Sequence, residues 1–290
     1  MKRISLLLFA GLLWPLLAFA QQIIPFEGIE NGRDLGGIVV QDSLQIRTGL
    51  LLRTANLSEA TEGDIQYLTT LPLTHIFDFQ LDSEKEEHAD KDIPGAKHID
   101  LPIDVNTPIK AKLTEPKKKK RHFFSFLWSE PVKIAFDEQM QQAIRLAYPT
   151  AVDDSLCQRQ FAAFLRQAID ADGALLYHCA WGKDRTGIAT ALLLSALGVD
   201  RDTIIADFDI SNRPYDKYIK RYSRRIRFWG GGEDEIATVK AAIGVNTDNF
   251  VKLLDYIDTQ YGSMDAYLRG PMGLTDADFQ TLRARCLERR

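Results

Sequence analysis

The densest group of chemically useful side chains lies in one decapeptide, His178–Gly187, with the sequence HCAWGKDRTG. Five residues separate Cys179 from Arg185, and Thr186 follows directly. A cysteine thiolate is a strong nucleophile, and a guanidinium can bind two oxygens of an oxyanion at once. This spacing predicts a loop in which a thiolate faces a bound oxyanion.

The flanking sequence indicates which elements position this loop. Ala174–His178 predicts a buried strand, and Ile188–Leu197 predicts a buried helix that stops at Gly198. Backbone N–H groups between a strand and a helix N-terminus form a cradle for an anion, and such a cradle lowers the pKa of a cysteine within it. An inert buried cysteine is the alternative, but it does not explain three consecutive charged residues, 183–185, in apolar surroundings.

Strand and helix signals alternate along the rest of the chain. Thr74–Phe79 and Ala96–Ile103 predict two more strands, and Leu156–Ile169 predicts a helix. No internal repeat and no linker rich in Pro, Gly or Ser divides the chain. The pattern predicts an α/β fold with a mostly parallel central sheet flanked by helices, in a single domain with helical insertions.

Composition and charge exclude several classes of protein. The 290 residues are 45% hydrophobic and 26% charged, which is typical of a globular protein. The 36 Lys and Arg against 40 Asp and Glu give a net charge of −4, so no overall basic field favours a nucleic-acid partner. Three cysteines without a Cys-x-x-Cys pair favour neither a disulfide scaffold nor a zinc site. We expect no cofactor and no metal, and the oligomeric state stays open.

The first 20 residues predict a secretory signal peptide. A short basic start precedes the apolar run Ile4–Leu13, and small residues stand at Ala18 and Ala20. A membrane anchor is the alternative, but the apolar stretch is short for a span and Pro15 interrupts it. We therefore expect cleavage after Ala20, export to the periplasm or the medium, and a mature domain of residues 21–290.

Two segments interrupt the alternation of strands and helices. In the first, 117–128, five basic residues precede an aromatic-rich stretch. This pattern fits either peripheral contact with an anionic membrane or a solvated loop whose aromatic side chains pack on the domain, and we favour the loop. In the second, Arg221–Glu235, arginines and two aromatic residues precede three glycines. The glycines predict a hinge or a mobile flap, with a plain surface turn as the alternative.

The decapeptide resembles the phosphate-binding loop of the cysteine-dependent protein tyrosine phosphatases. More narrowly, Gly-Lys-Asp-Arg-Thr-Gly at 182–187 is similar to that of bacterial tyrosine phosphatases that also act on phosphoinositides. The resemblance covers roughly Phe26–Leu287 because further segments are similar to signatures of the same family: 31–37, 52–57, 208–212 and 261–268. It implies a cysteine-phosphatase-like fold.

The resemblance also implies an activity and catalytic roles. It implies hydrolysis of phosphate monoesters, phosphotyrosine and phosphoinositides among them, by attack of Cys179 on phosphorus and hydrolysis of the phosphocysteine. Arg185 and the backbone N–H groups of residues 180–185 would stabilise the transferring phosphoryl group. Asp184 is the first candidate for the acid that protonates the leaving oxygen, and Asp78 is the second.

Substrate-binding residues follow from the same resemblance. Lys183 would add a positive charge for substrates that carry several phosphates, Thr186 would hydrogen-bond the thiolate, and His178 would orient the loop. The other predicted contacts lie in the loop or in the N-terminal signatures: Ala180, Trp181, Gly182, Arg53 and Asp34.

Three positions carry a second interpretation or depart from the family. Arg53 could instead belong to a structural ion pair, and Asp34 could pair with Arg33. The family usually has Asp-Leu-Arg at the end of its early strand, where this chain has Asp78-Phe79-Gln80. The missing arginine leaves the charge partner of Asp78 open.

Two other classes of function compete with a phosphatase. One is an inactive module that binds a phosphorylated ligand, and the other is a different cysteine-loop enzyme such as a sulfurtransferase or an arsenate reductase. The intact Cys179, Arg185 and Asp184 argue against the first, and the flanking signatures argue against the second. Cys157 and Cys286 are expected to be buried apolar-type cysteines, although a disulfide between them stays open.

Overall fold

The computed structural model of the protein describes residues 22–40, 43–114 and 128–290. The strands are β1 (Gln22–Ile23), β2 (Arg33–Asp34), β3 (Val39–Val40), β4 (Leu44–Ile46), β5 (Leu51–Thr54), β6 (Leu73–Asp78), β7 (Lys97–Asp100), β8 (Ala174–His178) and β9 (Leu287–Arg289). The helices are α1 (Glu62–Thr70), α2 (Asp82–Glu87), α3 (Asn106–Lys112), α4 (Glu130–Ala135), α5 (Glu138–Asp153), α6 (Ser155–Asp170), α7 (Asp184–Leu197), α8 (Arg201–Ile210), α9 (Asp216–Phe228), α10 (Glu233–Ile243), α11 (Thr247–Tyr261), α12 (Met264–Arg269) and α13 (Asp276–Cys286). The predicted signal peptide lies outside the described residues.

Six strands form the central sheet, in the order β1-β2-β5-β8-β6-β7. The pairs β5-β8, β8-β6 and β6-β7 are parallel, whereas β1 and β2 extend one edge with antiparallel pairing. A small antiparallel sheet of β3, β4 and β9 joins the C-terminal strand to the N-terminal region. The predicted α/β fold with a mostly parallel central sheet flanked by helices is confirmed.

The predicted strands are found, with one difference in length. β8 has the predicted bounds, and β6 begins one residue before the predicted start. β7 spans Lys97–Asp100, whereas the sequence predicts a strand over Ala96–Ile103. The N–H of Leu101 still donates to the Asp78 carbonyl at 2.8 Å, so the chain continues beside β6 without regular pairing.

The core lies on both faces of the sheet because successive residues of β8 point to opposite faces. Leu175 and Tyr177 belong to the larger apolar cluster, in which the Tyr177 ring contacts Phe164 of α6 at 5.0 Å between centroids. Leu176 belongs to the cluster on the other face, together with Leu52 of β5. Burial on both faces is typical of an internal parallel strand. This packing fixes the orientation of β8 and therefore the position of the loop that follows it.

The two helices predicted around the decapeptide are present. α6 spans one residue more at each end than the sequence predicts, and α7 begins at Asp184, four residues before the predicted start at Ile188. α7 ends where expected because Gly198 takes the left-handed conformation, with φ of +89°. None of the helices in the described ranges combines the length and the apolar character that crossing a bilayer requires.

The two interrupting segments have different outcomes. Residues 117–127 lie outside the described residues, and Trp128, the last residue of that segment, is buried and stacks on Phe136 with centroids 4.5 Å apart. The Arg221–Glu235 segment is mostly helical, and the predicted hinge or flap at its glycines stays a prediction. The segment completes α9, turns at the glycines, among which Gly230 has φ of +82°, and begins α10. The surface turn is therefore confined to the glycines.

Candidate active site

The decapeptide joins β8 to α7 at the carboxyl edge of the parallel strands. In open α/β sheets this edge is where ligands bind, because loops from neighbouring strands meet there. Cys179 follows β8 directly and is buried, and Asp184 begins α7. The structure therefore places the predicted nucleophile at the base of a loop that leads into a helix N-terminus.

The loop is held by hydrogen bonds to its carbonyl groups. The Ala180 carbonyl accepts from the Asn56 side chain at 2.9 Å, and the Gly182 carbonyl accepts from Arg53 at 2.9 Å and from Asn31 at 2.8 Å. Because C=O and N–H point in opposite directions across a trans peptide, the following N–H groups are turned to the other side of the loop. That arrangement leaves them available to an anion.

Gly182 has the conformation that this loop requires. Its φ is +61°, and a Cβ atom there would lie 2.2 Å from the Thr54 carbonyl oxygen of β5. Any larger residue would therefore push the loop off the sheet. Gly182 acts through the backbone path, which is consistent with its predicted place in the binding loop.

The electrostatic environment distinguishes Cys179 from the other two cysteines. Burial raises the pKa of the Cys179 thiol, but Arg185 and the hydroxyl and backbone N–H of Thr186 outweigh it, so the pKa is lowered. Burial, together with Asp154, raises the pKa of Cys157 to about 12, and burial also raises the pKa of Cys286. All three thiols are free, so Cys157 and Cys286 form no disulfide in this structure. Of the three cysteines, Cys179 alone has surroundings that favour the thiolate.

Arg185 is fixed by a carboxylate that the sequence analysis missed. Its Nη1 and Nη2 donate to the two Glu84 carboxylate oxygens at 2.7 and 2.6 Å, and Nη1 also donates to the Phe79 carbonyl at 2.9 Å. This bidentate pair holds the plane of the guanidinium. Glu84 and Arg185 lie 101 residues apart, and nothing in the local sequence distinguishes Glu84 from its neighbours Glu86 and Glu87.

Asp184 and Arg185 line a cavity of about 280 Å³. The Tyr148 hydroxyl of α5 donates to Asp184 Oδ1 at 2.6 Å and fixes this carboxylate at the cavity wall. The rest of the wall is largely apolar, from Ile103, Val105, Ile144, Ala147, Ala151 and Ile188. The first candidate for the general acid therefore faces a space that could receive a leaving group.

Asp78, the second candidate acid, takes a different place. It is buried, its Oδ1 accepts from the Gln80 N–H at 2.8 Å, and it lies 3.7 Å from His178 Nδ1. Asp78 is not among the residues that line the cavity beside Arg185. Its charge partners are His178 and Lys85 in place of the family arginine. Asp78 therefore contacts the histidine, and its role as the second candidate proton donor stays a prediction.

His178 lies between two carboxylates. Its ring is fully buried, with Nε2 3.0 Å from Asp90 Oδ2. Burial lowers the pKa of His178, but Asp90 and Asp78 outweigh this and raise it, which favours the imidazolium next to Cys179. The three side chains place their ligand atoms within 4.8 Å of one another, as a metal site would. Their short contact and opposite charges describe an ion pair, so we assign no metal to them.

Arg53 supports the loop from below and does not form a wall of the substrate site, which corrects its predicted role. Its side chain is fully buried, and its Nη1 donates to Asp207 at 2.6 Å. Arg33 binds the other Asp207 oxygen at 3.0 Å. Since Arg33 and Arg53 are register partners on β2 and β5, both guanidinium groups reach the same carboxylate. The structural ion pair considered for Arg53 is confirmed, with Asp207 of α8 as its partner.

The predicted role of Asp34 is corrected in the same way. Asp34 is buried, and its carboxylate accepts from the N–H groups of Gly36 and Gly49 at 2.8 and 2.6 Å. It therefore stabilises turns on either side of β3 and β4. Its expected partner, Arg33, is bound to Asp207.

Lys183 and Trp181 have different environments in the loop, since Lys183 is buried and Trp181 is exposed. The ammonium of Lys183 donates to the Ile243 carbonyl at the end of α10 at 3.2 Å, and it lies 5.8 Å from the centroid of the Tyr215 ring. Trp181 is 59% exposed. The positive charge of Lys183 is thus held near the loop by α10, while Trp181 faces solvent.

The geometry agrees with a comparison to known proteins. Residues 24–288 match the sequence model of the tyrosine phosphatase family. The chain belongs to this family. It is similar to a Cupriavidus necator protein whose name is that of a tyrosine-protein phosphatase. The two are 29% identical over 260 residues, and the aligned region covers 85% of this chain and 82% of that protein. A tyrosine-protein phosphatase of Nostoc commune is 27% identical over 208 residues, 68% of this chain and 69% of its own.

A third relative is the triple specificity protein phosphatase PtpB of Mycobacterium tuberculosis. It is 37% identical over 117 residues, which cover 38% of this chain and 42% of that protein. Membership of the family confirms the predicted enzyme class, a phosphoric monoester hydrolase of the protein-tyrosine-phosphatase type. The structure shows four further residues that contact the predicted site residues and that the sequence analysis did not name: Glu84, Asp90, Tyr148 and Asp207.

Proposed function

We propose that this phosphatase hydrolyses phosphotyrosine and phosphoinositides through a phosphocysteine formed on Cys179. The observation that carries the proposal is the buried Cys179 thiol with a lowered pKa, in a loop whose Arg185 is held by Glu84. A thiolate kept at the base of an anion cradle is suited to attack phosphorus.

The reaction has two steps that balance. In the first, Cys179 Sγ forms a bond to phosphorus, the bond from phosphorus to the ester oxygen breaks, and Asp184 gives its proton to that oxygen. In the second, water attacks phosphorus, Asp184 takes a proton from it, and the S–P bond breaks to release phosphate and the thiolate. Arg185 and the loop N–H groups stabilise the charge on the phosphoryl oxygens in both steps.

Two observations support a broad substrate range. The largely apolar cavity beside Asp184 can accept an aromatic or aliphatic leaving group. Lys183, a buried cation within the loop, adds positive charge that would attract a second phosphate. The Mycobacterium tuberculosis relative carries triple specificity in its name. The substrate class is tested by measuring hydrolysis of a phosphotyrosine peptide, a phosphoserine peptide, phosphoinositides and inositol phosphates.

The mechanism is tested by replacing the nucleophile. Cys179→Ser should abolish turnover but leave binding of a phosphate ester largely intact, because the cradle and Arg185 remain. Cys286→Ser is the matched control, since Cys286 is equally buried but carries a raised pKa. Acid quenching of the wild-type enzyme with labelled substrate should trap a phosphoenzyme that Cys179→Ser does not form.

Three results would contradict the mechanism. Turnover retained by Cys179→Ser, or a label trapped on another residue, would exclude Cys179 as the nucleophile. A requirement for added Mg²⁺ or Zn²⁺ after EDTA treatment would show that a metal supplies part of the chemistry assigned here to Arg185.

A further inference from the structure

The helix α9 has one face packed on the protein and one face in solvent. Ile219, Ser223 and Ile226 are buried, and Ile226 packs in a small apolar cluster with Ile236 and Val239 of α10. The remaining side chains of α9 are exposed, apart from the half-buried Tyr222. Packing on α10 therefore accounts for only one side of the helix.

The exposed side of α9 carries a concentrated positive charge. Its 13 residues include six cations and one acid, Asp216, a net charge of +5 within a chain of net charge −4. The cations are Lys217, Lys220, Arg221, Arg224, Arg225 and Arg227. In the described part of the chain, Arg227 alone among them has a carboxylate within ion-pair distance, Glu233 at 3.5 Å. Three of these cations, Lys220, Arg224 and Arg227, line a cavity together with Asp209, Asp216, Glu233 and Asp248. The charge that faces away from these acids is carried by Lys217, Arg221 and Arg225.

Two aromatic side chains lie among these cations. Phe228 is 80% exposed and Tyr218 is 55% exposed. Tyr218, Arg221, Arg225 and Phe228 are spaced i, i+3, i+7 and i+10, so they lie along one side of the helix. We define the basic-aromatic face as these four residues together with Lys217.

The N-terminal end of α9 lies near the catalytic loop. Tyr215, which precedes α9, has its ring 5.8 Å from the ammonium of Lys183, and the exposed Trp181 ring lies 6.0 Å from the same ammonium. A surface bound along α9 would therefore lie beside the entrance to the loop that holds Cys179.

We propose that the basic-aromatic face docks on an anionic lipid bilayer. Cations attract the acidic headgroups, and exposed aromatic rings between them enter the boundary between headgroups and acyl chains. A soluble polyanion would satisfy the cations but would offer no apolar phase for Phe228. The combination of three cations and an exposed phenylalanine on this face therefore favours a bilayer over a nucleic acid or an acidic peptide.

Vesicle sedimentation tests the proposal with the chain from Gln21 onward, so that the apolar leader contributes nothing to lipid binding. Binding to phosphatidylcholine vesicles is compared with and without phosphatidylglycerol. Lys217→Ala/Arg221→Ala/Arg225→Ala should weaken binding to the anionic vesicles on the order of 100-fold, since each basic residue contributes about fivefold near such a surface. Wild-type protein should not sediment with pure phosphatidylcholine.

A matched triple variant controls for net charge. Lys110→Ala/Arg159→Ala/Lys252→Ala removes three exposed cations from α3, α6 and α11 and should bind anionic vesicles within a fewfold of wild type. Both triple variants should hydrolyse a soluble aryl phosphate at the wild-type rate, which shows that the fold and the catalytic loop are intact. Equal loss of binding in the two variants would overturn the proposal.

A single substitution separates a bilayer from a soluble polyanion. Phe228→Ser should weaken binding to anionic vesicles but leave retention on heparin unchanged, because only the bilayer receives the ring. The proposal would be overturned if Phe228→Ser weakened vesicle binding and heparin retention equally. It would also be overturned if Phe228→Ser changed neither of them. A third result would also overturn it: the α9 triple variant binds anionic vesicles as wild type does, but replacement of the basic run 117–121 by alanine abolishes binding.

Discussion

At the scale of single residues, the structure distinguishes the two carboxylates considered as the proton donor. Asp184 lines the cavity and is held by Tyr148, whereas Asp78 is buried beside His178. A proton donor must reach the leaving oxygen, so position favours Asp184.

Asp184→Asn should therefore slow hydrolysis of an alkyl phosphate by about 10²–10⁴-fold but slow that of an activated aryl phosphate far less, since a good leaving group needs little protonation. The measurement is kcat/KM across a series of phosphates that differ in leaving-group pKa. Asp78→Asn is the comparison and should lower all members of the series by a similar factor. A steeper dependence on the leaving group in Asp78→Asn would reverse the assignment.

Asp90 is expected to control the charge next to the nucleophile. Its contact with His178 raises the pKa of that histidine, and the imidazolium favours ionisation of Cys179. Asp90→Asn should therefore move the acid limb of the kcat/KM profile, and the pH dependence of inactivation by iodoacetate, to higher pH by on the order of one unit. Asp92→Asn, at an exposed neighbour, should leave both profiles unchanged.

The same ion pair has a defined pH window in stability. The pKa of Asp90 is lowered despite burial, and the pKa of His178 is raised despite burial. The contribution of the ion pair to the free energy of unfolding is lost as the pH falls through the folded-state pKa of Asp90. It is also lost as the pH rises through the folded-state pKa of His178. The loss of unfolding free energy in Asp90→Asn should thus be largest between these two pKa values and smaller on either side. A pH-independent difference would indicate that packing alone is affected.

At the scale of elements, the central sheet is joined to α8 through one carboxylate. Asp207 binds Arg33 of β2 and Arg53 of β5, and Arg53 also holds the Gly182 carbonyl of the loop. Asp207→Asn would leave two buried guanidinium groups without their counter-charge and should lower the free energy of unfolding by about 3–5 kcal/mol. Urea denaturation measures this, with the exposed Asp202→Asn on the same helix as control. A loss no larger than that of the control would show that water or other groups replace the carboxylate.

Elements with a local signal could be predicted from the sequence. β8 shows an apolar run bounded by a turn and has the predicted bounds, and α7 ends at the predicted glycine although it begins four residues earlier than expected. α9 was missed because its apolar contacts come from few positions, Ile219 and Ile226 among them, within a run of arginines. Helix formation there depends on packing against α10, which no local pattern reveals.

The same distinction applies to the site. Cys179, Asp184 and Arg185 stand in one decapeptide whose spacing predicts their chemistry. Glu84 and Asp90 act on that loop from a segment about a hundred residues earlier in the chain. Their roles depend on which strands become neighbours, so a single sequence cannot assign them. For Arg53, the sequence indicated an ion pair as an alternative but could not name Asp207 as the partner.

At the scale of the whole molecule, the predicted leader would determine the compartment in which the thiolate works. Residues 1–20 have the basic start, the apolar run and the small residues at 18 and 20 of a cleavable signal peptide. Cleavage after Ala20 would remove Lys2 and Arg3 and change the net charge from −4 to −6. An exported enzyme meets oxidising conditions, where a cysteine of lowered pKa is exposed to reversible oxidation.

Expression of the full chain in a bacterium with a general secretory pathway should yield a protein whose N-terminus is Gln21, recovered from the periplasm or the medium. Ala20→Arg places a large charged residue at the cleavage position and should leave the leader attached and the protein membrane-bound. N-terminal sequencing and intact mass of each fraction measure both outcomes. The exported wild-type enzyme should also lose activity to hydrogen peroxide and recover it with a thiol reductant, in step with modification of Cys179 and not of Cys157 or Cys286. A cytoplasmic protein that begins at Met1 would show that the leader is not a signal for export.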